Sequence, residues 1–192
     1  MLSLAQQQQG LLAILQGRQI NTKRDPWLDS VTQSRGLGLL REIASWWQQF
    51  QIEWQCRYTS RLMKRMGCFA DYVTAHFGEN PTPPSIEELT TQFLSSLQNH
   101  QDPLLRAVAA FELACIVCTD NPEHTATITW DRNPEQVMNA LNSFEPLPEH
   151  EPGTRYVLQM GAQLPGSINC VRETLSDSSL YNDRKKFSKS CC

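Results

Sequence analysis

The chain has 192 residues, a formal net charge of −3 and no excess of Lys and Arg over Asp and Glu, which argues against a nucleic-acid partner that reads phosphate through a basic face. No apolar run approaches the roughly twenty residues that cross a bilayer, and the N-terminus lacks a basic start followed by a continuous apolar stretch, so neither a membrane span nor a secretory signal is expected. A cytoplasmic protein is the expectation, and there seven cysteines, an odd number, read as thiols and not as a disulfide framework.

In chain order, residues 2–16 place Leu4, Leu11, Leu12 and Leu15 at helical spacing, with Gly17 as a stop. Residues 18–33 are polar and contain Asp25-Pro26, which predicts a loop anchored by Trp27 and Leu28. From Ser34 to Gln55, Leu37, Leu40, Ile43, Trp47, Phe50 and Trp54 recur at three- and four-residue steps, the pattern of an amphipathic helix. A second helix is predicted from Tyr58 to Phe77, with Leu62, Met66, Phe69, Val73 and Phe77 inside and Gly67 weakening its middle. Three prolines within Asn80–Pro84 break the chain, and Ser85 with Glu88 forms a capping box for a helix over Ile86–Leu97.

Asp102–Cys118, DPLLRAVAAFELACIVC, is the most apolar run. Asp102 suits the N-cap and Pro103 the first helical position, so a buried central helix is expected, with Leu104, Val108, Phe111, Cys115 and Cys118 on one face. Beyond it the period changes. Thr125–Trp130, Arg155–Met160 and Ser167–Glu173 read as strands, and Pro134–Phe144 as a short helix opened by Asn133. The fold class is therefore α+β, mainly α: a helical bundle over residues 1–120, a small sheet-containing module over 121–175, and a mobile tail over 176–192.

Candidate chemistry is sparse. Cys115-x-x-Cys118 lies at the C-terminal end of the apolar helix with no second Cys or His pair, so two buried apolar side chains are expected rather than a redox or zinc pair. His76, His100, His124 and His150 are scattered near helix ends and loops and match no ligand spacing; solvated or capping roles are expected, and no metal site. No GxSxG, P-loop or GxGxxG follows a strand, so no catalytic residues are assigned. Glu112, a lone carboxylate in the apolar helix, calls for a structural partner such as arginine. Trp46, Trp47 and Trp54 are candidate interface residues, since two adjacent tryptophans on a helix point about 100° apart, so that one can be core and the other at a surface, and tryptophan is enriched at binding hot spots; an aromatic face that serves the core alone is an equal alternative.

QQGLLAILQGR, RLMKRMGCFADYVTAHF, IEELTTQFLSSL and above all DPLLRAVAAFELA together resemble a known family. It comprises the MbnC/HvfC-like proteins, small partners of multinuclear iron enzymes that modify cysteine in ribosomally made peptides. Their N-terminal region carries the label "putative DNA-binding domain". AVAAFELA is similar to the family's acidic "LA-LEWA" helix, with Glu112 at the acidic position, and WDRNPEQVMNAL…RYVLQMGAQLPGSI is similar to its small C-terminal module. The usual RLAVYRNN stretch is missing; Cys56-Arg57-Tyr58 stands in that region, as in more divergent peptide-modifying members.

The resemblance implies a non-catalytic subunit that forms a heterodimer with the iron enzyme, holds a short cysteine-containing precursor by strand addition, and carries no cofactor itself, the iron belonging to the partner. Tyr156, Val157 and Leu158 are then the candidate edge strand for the peptide. A helical adaptor with no peptide-maturation role is the alternative, and a DNA-binding regulator a third, against which the acidic balance argues. The tail carries Cys191-Cys192; an unstructured end is the first expectation, a segment that mimics or carries a cysteine substrate the second, and a lipid anchor a weaker option, since a prenylation signal places its cysteine four from the end.

Overall fold

The computed structural model describes residues 2–15, 17, 25–80, 82–83, 85–164 and 167–174. Among them the chain is mainly helical with a three-stranded antiparallel sheet, an α+β fold. It divides into two units, Met1–Phe93 and Leu94–Cys192. The division falls inside a helix, not at residue 120 as the change of period suggested. The central helix packs on the strands, because a small sheet needs an apolar cover and this helix supplies it. The expected tail, with Cys191 and Cys192, lies outside the described residues.

The first unit begins with α1 (Leu4–Leu15), opened by a reciprocal capping box in which the Ser3 N–H donates to Gln6 Oε1 at 2.9 Å and the Gln6 N–H to Ser3 Oγ at 3.3 Å. The segment read as a loop contains α2 (Pro26–Thr32). Asp25 caps it through the N–H groups of Trp27 and Leu28, and accepts from Gln7 Nε2 at 2.8 Å, the main cause of a carboxyl pKa below its ordinary value. Ile14, Leu28 and Leu37 are buried together there. Arg41 of α3 (Leu37–Gln55) forks onto the Ile14 carbonyl at 2.9 and 2.7 Å, closing the end of α1.

The predicted helix Tyr58–Phe77 is two helices, α4 (Arg57–Arg65) and α5 (Phe69–Glu79). Gly67 sits between them at φ +72°, a left-handed conformation that ends a helix rather than weakening it. Leu62, Met63, Val73 and Phe77 are buried, while Met66 is exposed because the break turns it outward. In α6 (Ile86–Ser96), which spans the division, Ser85 Oγ accepts from the Glu88 N–H at 3.1 Å.

The second unit runs from the end of α6 through a 3-10 turn, Leu97–Asn99, into α7 (Pro103–Asp120). Asp102 caps α7 through the Leu105 N–H at 2.8 Å. Strands β1 (Ala126–Trp130), β2 (Thr154–Met160) and β3 (Ile168–Thr174) follow, with α8 (Pro134–Ser143) between β1 and β2. The strand order is β1-β2-β3, so β2 is central. Ile128 and Trp130 of β1 and Tyr156, Leu158 and Met160 of β2 are buried beneath the helices, whereas β3 is exposed along nearly all its length.

Candidate functional site

Two features of the surface lie outside ordinary packing, one in each unit. The first is α3. Leu39, Ile43, Trp46, Phe50 and Trp54 recur at helical spacing, and with Leu40 and Trp47 all seven are exposed; Trp46, Trp47 and Trp54 keep 60%, 51% and 75% of their surface. The side turned inward buries Leu37 and Ile52 and carries polar groups beside them. Ser45 and Thr74 hydroxyls meet at 3.3 Å, Gln49 Nε2 donates to Thr74 Oγ1 at 3.4 Å, and Gln48 Nε2 to Thr82 Oγ1 at 3.0 Å.

The apolar stripe read from the sequence is real, but of its members only Leu37 is buried. Trp46 and Phe50 stack with centroids 5.7 Å apart, as do Trp47 and Phe50. Trp46 and Phe50 also wall a groove of about 380 Å³ opposite Phe69, over whose ring Lys64 Nζ lies at 5.3 Å. Lys64 is ion-paired with Glu53.

The second feature is the far edge of the sheet. Tyr156, Val157 and Leu158, expected on an edge, lie on β2 and are paired on both sides: with Trp130, Thr129 and Ile128 of β1, and with Arg172, Val171 and Cys170 of β3. Their backbone groups are spent within the sheet, so the candidate edge moves to β3. The ladder tells which groups there are free. Gly161 N–H donates to the Ser167 carbonyl at 3.0 Å, and Met160 opposes Ile168. In an antiparallel ladder hydrogen-bonded pairs alternate, so Asn169, Val171 and Glu173 bond to β2. The N–H and C=O groups of Ile168, Cys170 and Arg172 therefore point away from it, and no partner covers them among the described residues.

The side chains of those three residues share the inner face of the sheet with Met160, Leu158 and Tyr156. Because α7 lies mainly on β1 and β2, they floor a groove of about 560 Å³, bounded by Phe111 of α7 and by Met138 and Glu135 of α8. Arg172 Nη2 donates to Glu151 at 2.7 Å. Burial, then Glu135, raises the Cys170 thiol above its ordinary pKa, so it is held as the neutral thiol. The sequence contains β3 and its alternation, but alternation is silent on strand order.

The remaining candidates resolve plainly. Cys115 is exposed and Cys118 partly so, not buried as expected, since the last turns of α7 extend past the packed part of the helix. Cys118 Sγ lies 3.6 Å from the His124 carbonyl; although Cys115 is exposed overall, partial burial of its sulfur, then Glu112 and Cys118, pushes its thiol up to about 11, the opposite of an activated thiol. Glu112 is buried. His76 is buried against Phe77 and Phe93, with ring centroids at 4.9 and 5.7 Å, rather than solvated at its helix end. Among the described residues its Nε2 has no hydrogen-bond partner, and its pKa is lowered, mainly by burial. His100 Nδ1 accepts from the Asp102 N–H at 3.1 Å, and His150 Nδ1 lies 2.9 Å from the Asp131 carbonyl.

Among the described residues no cluster of three or more His, Cys, Asp and Glu is placed to hold a metal ion, and no helix is long and apolar enough to cross a membrane. No family model, curated protein or solved structure matches this chain.

Proposed function

We propose that this chain is a non-catalytic partner subunit that takes an extended precursor peptide onto the β3 edge and docks through the α3 face on the enzyme that modifies it. The resemblance makes that enzyme a multinuclear iron enzyme acting on cysteine, with the iron held by the enzyme. The observation that carries the reading is the β3 edge: outward backbone groups at Ile168, Cys170 and Arg172 beside a groove with apolar walls. Strand addition needs both, since main-chain bonds supply affinity and alternate side chains supply register. The α3 face supports the second half. Seven large apolar side chains at these exposures offer an area on the order of the ~800 Å² that one partner contributes to a standard interface.

The test is co-expression of this chain with the iron enzyme and the cysteine-bearing precursor encoded beside it, and purification through a tag on this chain. Expected is a stoichiometric complex with the enzyme, and a precursor whose cysteine mass changes only when this chain is present. Processing at an undiminished rate without the chain would leave a helical adaptor. Absence of any association would remove the reading altogether.

A further inference from the structure

We propose that the β3 edge selects an extended peptide that runs antiparallel to β3 and carries at three alternate positions, from its N-terminal side, one acidic and then two apolar side chains. The inference rests on the strand-addition reading above and specifies which peptides that site takes.

The free backbone groups set the frame. A strand added outside β3 must pair with Ile168, Cys170 and Arg172, and residues directly opposite share a face, so the three partner side chains all enter the groove. The residues between them lie on the other face, beside Asn169 and Val171, and meet no groove. Antiparallel pairing is the more stable per residue and continues the sense of this sheet. The residue opposite Arg172 then comes first in the peptide, the one opposite Cys170 second, and the one opposite Ile168 third.

The groove differs along this line. At the Ile168 end the floor is apolar and 47% of the Ile168 surface is open to be covered. In the middle, Cys170 is flanked by Leu158 and Met138, and the carboxylate of Glu135 disfavours a second negative charge. At the far end stands Arg172. Its bond to Glu151 is an exposed ion pair, which costs little to share, and it occupies one of the five N–H donors of the guanidinium. An acid therefore fits only at the first position, and apolar groups fit the other two.

Cys170 itself allows the test. Residues opposite each other in a hydrogen-bonded pair have Cα atoms about 5.5 Å apart, within disulfide range. Three blocked synthetic peptides carry cysteine in the middle, as the mixed disulfide with 2-mercaptoethanol: Glu-Thr-Cys-Thr-Ile, the reversed Ile-Thr-Cys-Thr-Glu, and the shifted Thr-Glu-Cys-Ile-Thr. Cys170 loses its proton to solvent and the small thiolate fraction attacks the peptide sulfur; one S–S bond forms as another breaks, and the released 2-mercaptoethanol thiolate takes up a proton and leaves as the thiol, so no oxidant is consumed. The full chain is equilibrated with each peptide at rising 2-mercaptoethanol, and labelling at Cys170 is read by peptide mapping.

The first peptide is expected to withstand about tenfold more 2-mercaptoethanol than either control, and R172E to prefer the same peptide with Lys in place of Glu. Equal retention of all three at Cys170, above that at exposed Cys115, would overturn the polarity and register and leave strand addition standing. Retention at Cys170 no better than at Cys115 for all three would overturn both.

Discussion

The hydroxyls of Ser45 and Thr74, 3.3 Å apart, join α3 to α5 about 100° around α3 from Trp46. A helix normally turns its apolar stripe to the core and its polar stripe to water. Here only Leu37 and Ile52 of α3 are buried, with hydroxyls and glutamine amides beside them, and the aromatic rings face out. Exposed apolar area of this size, gathered on one helix, is what the proposed docking role of α3 rests on.

Trp46→Ser and Trp54→Ser, alone or together, are expected to change unfolding free energy by no more than about 0.5 kcal/mol each, because neither ring is buried in the fold. Association with the enzyme partner is expected to weaken by about 2 kcal/mol or more for the central Trp46, the scale of a hot spot. Urea unfolding and calorimetric titration separate the two effects. A loss of stability as large as the loss of binding would place the rings in the core.

At Gly67, φ is +72° and no atom lies within 4 Å of where a Cβ would stand, so the cost of a side chain there is conformational and not steric. Gly67→Ala is expected to destabilise the fold by about 1–2 kcal/mol, the price of holding an L-residue in the left-handed region. Urea unfolding of the variant measures this directly. An unchanged midpoint would mean that α4 and α5 can join as one helix.

Val157→Pro and Cys170→Pro separate the central strand from the edge. Val157 lies between β1 and β3, so proline there removes a ladder bond and is expected to cost about 3 kcal/mol or more, or to prevent folding. Cys170 N–H points outward, so Cys170→Pro is expected to leave the thermal midpoint within a few degrees and to weaken precursor binding at least tenfold. Circular dichroism melts and peptide titration give the two readouts. Undiminished binding by a folded Cys170→Pro variant would reject the β3 edge.

His76 gives the fold an acid-side weakness. Its pKa is lowered from 6.5 in the fold, so the unfolded chain takes up the proton first as pH falls. The stability owed to neutral His76 is complete above the unfolded value, declines as pH drops below about 6.5, and is lost by the folded pKa. Burial against Phe77 and Phe93 is the cause, so His76→Phe is expected to flatten the fall in unfolding free energy between pH 7.5 and 5.5. Equal slopes for both proteins would show that other groups set the dependence.

Local chemistry was legible where a signature completes itself within a few residues. Asp102-Pro103 before an apolar run marks the start of α7, and Ser85 with Glu88 the start of α6. Asp25-Pro26 makes the same start for α2, but only Trp27, Leu28 and Val31 follow it before the helix ends, too short a run to show a period. Ser3 and Gln6 cap α1 with residues that read in sequence as ordinary polar ones.

The larger misreadings share one cause. Periodicity says which residues share a face and is silent on which way the face looks: Leu40, Ile43, Trp47, Phe50 and Trp54 share a stripe, yet beyond Leu37 the stripe points out. Likewise the alternation in Arg155–Met160 defines a strand, while its central place depends on β1 and β3 pairing with it from distant stretches of chain.

The placement of the five tryptophans also makes the protein its own optical probe. Trp130 is sealed in the second unit beside Phe111, with ring centroids 6.3 Å apart, whereas Trp27, Trp46, Trp47 and Trp54 face solvent in the first. Emission from the native chain should therefore be red-shifted for a folded protein and strongly quenched by iodide, with one protected component. A partner that covers α3 would shift the emission to the blue and shield it from iodide, while a peptide seated on β3 would leave that signal alone. Unlabelled protein in a cuvette can thus report which of its two surfaces has been occupied.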